Sequence, residues 1–417
     1  MSKIKFLHAN EIIDSRGNPT LETFCELESG VRGRCAVPSG ASTGSHEALE
    51  LRDRDPARYG GLGVIKAVAN VNGEMNDKLK SREFDQASLD RTLIELDATG
   101  DLSRLGANAI LSVSIAFARA QAAEEGAELF QHLGRLAGNT SFKLPEPAFN
   151  IINGGEHADS GLEIQEFMIV PAGIEKFSEK VRAASEIISA LKKNLSAKGY
   201  STGVGDEGGF APKLASNEEA LDLIAEAVKS AGYSADSIKI ALDAAASTFF
   251  KDGGYFLKIK GTEKRLDSAE LVGWYQELVN SFPIISIEDG LAEEDWQGFE
   301  FMYRQLGGKI KIVGDDLLVT NVERMKKAKE AGAVNGAIIK PNQIGTVSET
   351  LEAVKFARNS GWTAFASHRS GETDDTFIAD LAVGFGCDFF KAGSLARGER
   401  VVKYNRLMEI ERLLNQK

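Results

Sequence analysis

The carboxyl-terminal part of the chain repeats one pattern: a short apolar run, a charged or titratable residue, and then a segment with helical spacing. The residues that end six of these runs are Asp243, Glu288, Asp315, Lys340, His368 and Lys391. They are separated by 45, 27, 25, 28 and 23 residues, and four of these intervals fit one strand, one helix and two loops. The longest interval holds an additional polar, hairpin-like segment at 251–266. Strands that alternate with helices predict a parallel sheet.

The position of these residues at the ends of successive strands is typical of one architecture. A (β/α)8 barrel builds its active site at the carboxyl ends of its strands, where side chains from different strands converge. One polar residue at a strand end is ordinary, but six in phase favour a shared site. The sequence therefore predicts an α/β fold with a TIM-like barrel and a functional pocket at its mouth.

The amino-terminal third of the chain has a different pattern. Two β-rich runs, 21–27 and 31–37, precede helical segments, so this part mixes strands and helices without the regular alternation. A stretch that contains Gly and Pro, 138–147, indicates a linker. We therefore expect a smaller α+β domain over residues 1–137 and a barrel domain over residues 138–417.

Charge and cysteine content narrow the classes of partner. The 61 acidic residues outnumber the 49 basic residues, which gives a net charge of −12. An acidic surface repels phosphate backbones and anionic lipids, so neither nucleic acid nor a membrane is an expected partner. Cys25, Cys35 and Cys387 are far apart in sequence, which favours a reducing compartment. Because no segment resembles a signal peptide or a membrane span, we expect a cytoplasmic protein.

Two short motifs match other classes of enzyme. Residues 203–208 fit the dinucleotide pattern GxGxxG, but two acidic side chains would face the pyrophosphate and a proline follows where a helix should begin. Residues 40–44 fit the GxSxG pattern with Ser42 as the nucleophile. Such a serine normally lies late in a parallel sheet with Asp and His downstream. A serine hydrolase is therefore the alternative from a different class.

The strand-end carboxylates and lysines predict a metal site with a base beside it. Asp243, Glu288 and Asp315 offer only oxygen ligands, which favours Mg²⁺ over Zn²⁺. An ammonium close to a second ammonium and to Mg²⁺ is disfavoured, so we expect Lys340 or Lys391 to be neutral near pH 7 and to act as a base. The alternative is that both lysines form salt bridges with the carboxylates. Three carboxylates that face a metal make this pairing unnecessary.

Further polar residues follow other apolar runs of the barrel region. Arg369 and Ser370 come directly after the strand-end histidine and offer a bidentate guanidinium and a hydroxyl, which suit a phosphate or a carboxylate. His157 and the pair Gln165 and Glu166 also follow apolar runs, so we expect them at the same pocket.

Long motifs throughout the chain carry a resemblance to one family. They are SRGNPT (15–20), PSGASTG (38–44), LGANAILSVS (105–114), NGGEHAD (153–159), QEFMIVP (165–171), VGDEGGFAP (204–212), ALDAAAS (241–247), SIEDGL (286–291), VGDDL (313–317), KPNQIGT (340–346), SHRSGETDDTFIADL (367–381) and KAGS (391–394). The sequence resembles the enolase family, in particular its bacterial type. This resemblance implies an α+β cap domain followed by a modified barrel that begins ββαα. It also implies the reversible dehydration of 2-phospho-D-glycerate to phosphoenolpyruvate in glycolysis.

The resemblance assigns roles in proton transfer. Lys340 resembles the base that removes the C2 proton, and Glu207 resembles the acid that assists loss of the C3 hydroxyl. Glu166 resembles the residue that helps to position that hydroxyl. The proton on the carbon next to a carboxylate is very weakly acidic, because its removal adds a second negative charge to a group that is already charged. Two Mg²⁺ ions and a lysine stabilise such a dianion electrostatically.

The resemblance also implies a set of binding residues. The implied metal ligands are Asp243, Glu288 and Asp315 for the first of two Mg²⁺ ions, and Ser42, in a loop that closes over the site, for the second. The implied substrate-binding residues are Lys391 for the carboxylate, Arg369 and Ser370 for the phosphate, and His157, Gln165, Glu166, Lys340 and His368 around the rest of the molecule. His157 and His368 are also expected to assist the reaction.

Two departures and two alternatives accompany this prediction. Thr248 and Ala392 stand where the family usually has Glu and Thr, and neither is an implied ligand.

A superfamily relative that acts on another carboxylate is expected to lack the pair Arg369 and Ser370. A non-catalytic scaffold or adhesion role is the other alternative, and the intact proton-transfer set argues against it as the sole role. The family implies a homodimer or an octamer of dimers, with a surface or secreted pool beside the cytoplasmic one.

Overall fold

A computed structural model describes residues 1–40 and 44–416. The amino-terminal region has a four-stranded antiparallel sheet in the order β3-β2-β1-β4. Its strands are β1 (Ser2–Ile13), β2 (Pro19–Leu27), β3 (Arg32–Ala36) and β4 (Glu83–Phe84). Its helices are α1 (Ile65–Asn70), which continues through a π-helical turn (Val71–Met75) into α2 (Asn76–Leu79), and α3 (Gln86–Asp97), α4 (Ala107–Glu124) and α5 (Leu129–Ala137). The two predicted β-rich runs are confirmed as β2 and β3.

Helix α4 is the centre of this region. Almost all of its side chains are buried, because the helix packs against β2 and β3 on one side and contacts helices of the barrel region on the other. Gly33 explains the close packing against the sheet, since a Cβ atom at this position would lie 1.9 Å from the carbonyl oxygen of Ala116. The helix therefore lies directly on the backbone of β3.

The carboxyl-terminal region is a closed barrel in the order β11-β12-β13-β14-β15-β5-β6-β7. The strands of this region are β5 (Glu146–Asn153), β6 (Glu166–Val170), β7 (Lys239–Asp243), β8 (Phe250–Lys251), β9 (Gly254–Ile259), β10 (Thr262–Leu266), β11 (Ile284–Glu288), β12 (Lys311–Gly314), β13 (Gly336–Ile339), β14 (Thr363–Ser367) and β15 (Phe389–Lys391). The segment predicted as a polar hairpin forms the separate antiparallel sheet of β8, β9 and β10. The barrel and the preceding α+β region confirm the predicted fold.

The second strand of the barrel runs against all the others. Strand β6 is antiparallel to both β5 and β7, whereas the other neighbouring strands of the barrel are parallel. The first residue of β6, Glu166, therefore pairs with the last residue of β7, Asp243. Our interpretation of Gln165 and Glu166 as the end of an apolar run was wrong, because these residues open a strand. The reversed direction of β6 brings them to the same mouth.

Helices surround the barrel on its outer side. They are α6 (Phe177–Ala197), α7 (Asn217–Ser230), α8 (Ser268–Ser281), α9 (Trp296–Leu306), α10 (Val322–Ala331), α11 (Pro341–Ile344), α12 (Val347–Asn359), α13 (Phe377–Phe385) and α14 (Gly398–Asn415). The order β5, β6, α6, α7 gives the barrel the ββαα start that the resemblance implies. None of the described helices has both the length and the apolar composition that a membrane crossing demands.

The amino-terminal region docks on the barrel through buried polar contacts. The Arg119 guanidinium binds both carboxylate oxygens of Asp375 at 2.7 Å. The backbones of Ser39 and Gly371 bond to each other in both directions, at 2.8 and 2.9 Å. These contacts join the two regions, and Glu47 of the amino-terminal region reaches Arg369 of the barrel region.

Candidate active site

Three carboxylates surround the Lys391 ammonium at the barrel mouth. The strand register places Glu288 beside Asp243, and Asp243 beside Glu166. Lys391 Nζ lies 2.8 and 2.9 Å from the two oxygens of Glu288, 3.1 Å from Asp243 Oδ2 and 3.3 Å from Glu166 Oε1. Burial lowers the pKa of Lys391, but these carboxylates outweigh burial and hold its pKa well above the ordinary value. Lys391 is therefore charged in this arrangement.

Lys340 forms a second pair at the same mouth. Its Nζ atom hydrogen-bonds to Asp315 Oδ2, and Gln343 Nε2 donates to the other oxygen of that carboxylate at 3.0 Å. Burial lowers the pKa of Lys340, but the carboxylates around it, chiefly Asp315 and with it Glu288, together raise its pKa above the ordinary value, so both lysines are charged in this arrangement. The direct salt bridges that we set aside as the alternative are therefore present, whereas the neutral lysine, which we expected beside a bound Mg²⁺, stays a prediction. These ion pairs form because a buried carboxylate is stabilised by the nearest positively charged side chain.

Two histidines flank Glu207 on the opposite wall. His157 Nδ1 lies 3.6 Å from Glu207 Oε1, and His368 Nε2 lies 3.5 Å from Glu207 Oε2. Asn150 Nδ2 donates to the same Oε2 atom at 3.0 Å. Burial raises the pKa of Glu207, but the contacts with His157 and His368 lower it by more, to well below its ordinary value.

Glu166 lies between the lysine-bearing wall and the histidine-bearing wall. One atom each from His157, Glu166 and Glu207 lie within 4.8 Å of one another, which is close enough for a metal ion. Burial and the neighbouring Glu207 carboxylate raise the pKa of Glu166 well above its ordinary value. When these two carboxyl groups hold one proton, it therefore lies on Glu166. Gln165, the preceding residue, is also buried beside the pocket.

Arg369 lies where the amino-terminal region meets the barrel. Its Nη1 and Nη2 atoms donate to the two oxygens of Glu47 at 2.8 and 3.0 Å, and Nη1 also donates to Asn342 Oδ1 at 3.1 Å. Both members of the Arg369–Glu47 pair are buried. Burial lowers the pKa of Arg369. The carboxylates near it, Glu47 first and then Asp315 and Asp316, together raise the pKa above its ordinary value, so the guanidinium stays charged. Ser370 is buried next to it on the same turn.

The structure brings together all but one of the predicted site residues. The residues that line the pocket are His157, Gln165, Glu166, Glu207, Asp243, Ala245, Thr248, Asp289, Asp315, Asp316, Lys340, Ser367, His368, Arg369, Ser370 and Lys391. Glu288 is not among these lining residues, but it contacts one of them, Lys391. Ser42 lies outside the described residues. Thr248, one of the two departures from the family pattern, lies in the pocket wall, and Ala392 is buried beside Lys391.

The prediction missed several residues that shape the pocket. Asp289 accepts the backbone N–H groups of Asp315 and Asp316 at 2.8 and 2.7 Å and so fixes the turn that carries Asp315. Burial and Asp315 raise the pKa of Asp316 to about 7. These acids directly follow Glu288 and Asp315 in sequence, so their adjacency to strand-end acids was an available signal. Glu47 carried no such signal, because it belongs to the other domain.

Residues 141–417 match the C-terminal TIM barrel domain of enolase, and residues 4–133 match the enolase N-terminal domain. The two matches cover nearly the whole chain in the order of the fold. The chain belongs to the enolase family. It is a carbon–oxygen lyase that interconverts 2-phosphoglycerate and phosphoenolpyruvate plus water, a step of glycolysis. Enolase membership also implies Mg²⁺ as the cofactor.

The residues of the pocket fit such a cation. Burial and the charge of Asp243 raise the pKa of Glu288 well above its ordinary value, because the carboxylates repel one another. Glu166 Oε2 is buried and has no hydrogen-bond partner within residues 1–40 and 44–416. A divalent cation with oxygen ligands would relieve this repulsion, and hard cations such as Mg²⁺ prefer these donors. Asp243, Glu288 and Asp315 are the side chains that would hold it.

Proposed function

We propose that opposite walls of the pocket divide the enolase reaction between a base and an acid. Lys340 would remove the C2 proton, and Glu207 would give a proton to the departing C3 hydroxyl, with Glu166 positioning that hydroxyl. The single observation that carries this proposal is the separation of the walls. Lys340 contacts Asp315 on one side, whereas Glu207 lies between His157 and His368 on the other.

The protonation states of these groups require a change when substrate binds. Lys340 is charged beside Asp315, and a base must be neutral. A Mg²⁺ ion held by Asp315 would offset the charge of that carboxylate and so would lower the pKa of Lys340. On the other wall, the shared proton of the carboxyl pair must move from Glu166 to Glu207. Their proximity to His157 supports such a transfer, because all three side chains lie within one small cluster.

Substrate binding is proposed to use the positive groups of the pocket. Lys391 would hold the substrate carboxylate, and Arg369 and Ser370 would hold the phosphate. A bidentate guanidinium matches the geometry of a phosphate, and its burial strengthens the interaction because water is excluded. His157, Gln165 and His368 would form the remaining walls. A relative with another carboxylate substrate is disfavoured, because the Arg369 turn faces the same pocket as the lysines.

We further propose two Mg²⁺ ions in each active site. Asp243, Glu288 and Asp315 would hold the first, and Ser42 would help to complete the second. Bound Mg²⁺ supplies electrostatic stabilisation of the negative charge that develops on the substrate carboxylate. Lys391, which already lies among these carboxylates, would then be available to the substrate.

The proposals for the whole molecule concern domain limits, assembly and location. We propose a boundary between residues 137 and 138, because α5 ends at Ala137 and Gly138 takes a left-handed conformation that ends the helix. The protein is proposed to be of the bacterial type, to form a homodimer or an octamer of dimers, and to act in the cytoplasm with a surface or secreted pool. The acidic net charge of −12 supports the absence of nucleic-acid and membrane partners.

Metal removal tests the proposed carboxylate site. Treatment with a chelator should lower the formation of phosphoenolpyruvate, followed by its ultraviolet absorbance, by more than ~100-fold, because the loss of even one preorganised electrostatic contact costs ~10²–10³-fold. Mg²⁺ should restore it. Asp243→Asn should raise the Mg²⁺ concentration needed for half-maximal activity. The matched control is Asp236→Asn, an exposed acid just before the same strand, β7.

Two results would contradict the metal assignment. The first is full activity after exhaustive chelation with no metal detected in the protein. The second is an unchanged Mg²⁺ requirement in Asp243→Asn, which would place the ion on other residues.

A further inference from the structure

Arg400 is a completely buried arginine in the first turn of α14, and the proposed chemistry does not use it. Its Nη1 atom donates to the carbonyl oxygen of Arg369 at 2.7 Å and to His368 Nδ1. Its Nη2 atom donates to the carbonyl oxygens of Ser370 at 2.6 Å and Asp206 at 3.3 Å. One guanidinium therefore binds both the turn that carries His368 and the loop that carries Glu207.

The contact with His368 determines where the imidazole carries its proton. A guanidinium is charged at all relevant pH values and only donates hydrogen bonds. His368 Nδ1 must therefore accept, and a neutral imidazole whose Nδ1 accepts has its proton on Nε2. Burial and the charge of Arg400 lower the pKa of His368 to about 4, although Glu207 opposes this shift, so the ring is neutral near pH 7.

The protonated Nε2 atom of His368 points at one oxygen of Glu207. That oxygen, Oε2, lies 3.5 Å from His368 Nε2 and also accepts from Asn150 Nδ2 at 3.0 Å. An oxygen that faces two N–H donors is disfavoured as the site of a carboxyl proton. A proton on Glu207 therefore belongs on the other oxygen, Oε1, which faces His157.

We propose that Arg400 is a positioning residue that holds His368 in its Nε2–H tautomer and thereby directs the proton of Glu207 to Oε1. This inference rests on the proposed role of Glu207 as the acid. The segment just before Arg400 is held against the loop that carries Glu207. Arg397 Nε donates to the carbonyl oxygen of Gly205 at 3.0 Å, and a Cβ atom at Gly208 would lie 2.7 Å from the carbonyl oxygen of Ala396. The Glu207 loop is therefore packed tightly on the segment that leads to Arg400.

The tautomer of His368 is measured directly by ¹⁵N NMR of the Mg²⁺-loaded enzyme labelled at histidine. The chain has five histidines, and the signals of His368 are identified by their loss in His368→Gln. We expect a protonated Nε2 and an unprotonated Nδ1 from pH 6 to pH 9. In Arg400→Met, which removes the donor, the Nδ1–H form should become populated. The matched control is Tyr404→Phe, a fully buried residue of the same helix that contacts Gly393 and not His368.

Kinetics distinguish a positioning role from a purely structural one. Arg400→Met should lower overall turnover at saturating substrate at least ~10-fold, because the acid step is affected. A rise in KM is expected beside it, because Arg400 also binds the carbonyl oxygens of Arg369 and Ser370. The variant should retain exchange of the substrate C2 proton with D₂O, since no contact joins Arg400 to Lys340 among the described residues. General damage to the fold would lower both the overall turnover and the exchange of the C2 proton. Arg400→Lys, which keeps the charge and one donor, should recover part of the turnover and serves as the test variant if Arg400→Met does not fold.

Three results would overturn the inference. The first is a wild-type His368 that is protonated at Nδ1, either as the other neutral tautomer or as an imidazolium ion. The second is an unchanged tautomer in folded Arg400→Met, and the third is a parallel loss of turnover and exchange. Failure of the underlying proposal looks different: full turnover in Glu207→Gln would remove the acid role while the His368 tautomer stayed as expected.

Discussion

The pocket has two sides that are built in different ways. On one side, Asp243, Glu288 and Lys391 stand at the ends of barrel strands, where the strand register brings them together. On the other side, Arg369 of the barrel binds Glu47 of the amino-terminal domain, which is 322 residues away in sequence. We call these the strand-end side and the junction side.

The difference concerns what holds each charge in place. The strand-end side is fixed by the hydrogen bonds of a closed barrel, so its geometry survives changes in the other domain. The junction side exists only while the amino-terminal domain is docked, because Glu47 reaches Arg369 from that domain. In our proposal, binding of phosphate by Arg369 is therefore coupled to domain docking, whereas the arrangement of the strand-end carboxylates is not.

The largest expected effect on the junction side comes from Arg369→Lys. This change keeps the positive charge but removes the bidentate geometry, so it separates orientation from charge. We expect kcat/KM to fall at least ~10-fold, which corresponds to about 1.4 kcal/mol of transition-state binding. Steady-state kinetics with 2-phosphoglycerate measure it. An unchanged kcat/KM would mean that the phosphate binds elsewhere and that the junction side is structural.

A smaller effect is expected from Glu47→Gln. The amide keeps one accepting oxygen but loses the charge and the second acceptor, so Arg369 is held less firmly. We expect kcat/KM to fall about fivefold, because a single hydrogen bond contributes about 1 kcal/mol. Affinity for the Mg²⁺ ion proposed at Asp243, Glu288 and Asp315 should stay unchanged, since Glu47 is not on the strand-end side.

Glu50→Gln is the matched control for this change. Glu50 belongs to the same segment and binds Arg52 and Ser39 within the amino-terminal domain. Its substitution should leave kcat/KM within about twofold of wild type, because these contacts of Glu50 lie within the amino-terminal domain. Equal losses in the two variants would show that the segment acts as a whole and that the Arg369 contact has no special part.

The strand-end side could be predicted from the sequence, and the reason is geometric. Asp243, Glu288 and Lys391 each end an apolar run, and parallel strands bring such ends to one edge. Glu166 reached the correct pocket for a different reason, since it begins a strand that runs in the opposite direction. Local sequence does not reveal strand direction, because alternation and apolar content are the same in both directions.

Three features of the site could not be predicted. The charged state of Lys340 depends on its distance to Asp315, which is set by packing across the mouth and not by the strand spacing. The Arg369–Glu47 pair depends on how two domains dock, and neither residue lies in a pattern that points to the other. Arg400 is similar, because its position in the first turn of a helix suggests an exposed residue and the structure buries it completely.

The central claim is that the base, Lys340, and the acid, Glu207, lie on opposite walls of the pocket. NMR of substrate in D₂O tests it, because a carbanion formed at C2 takes up deuterium before the C3 hydroxyl leaves. Lys340→Ala should lose both turnover and C2 exchange. Glu207→Gln should lose turnover by about 10²–10⁴-fold and keep measurable exchange, since the base remains in place.

The same measurement on Glu166→Gln completes the comparison, because Glu166 carries the shared proton in this arrangement. The account predicts that exchange without turnover is most pronounced in Glu207→Gln. The claim would be contradicted if Lys340→Ala still exchanged the C2 proton while Glu207→Gln did not, because the base and the acid would then have to change places.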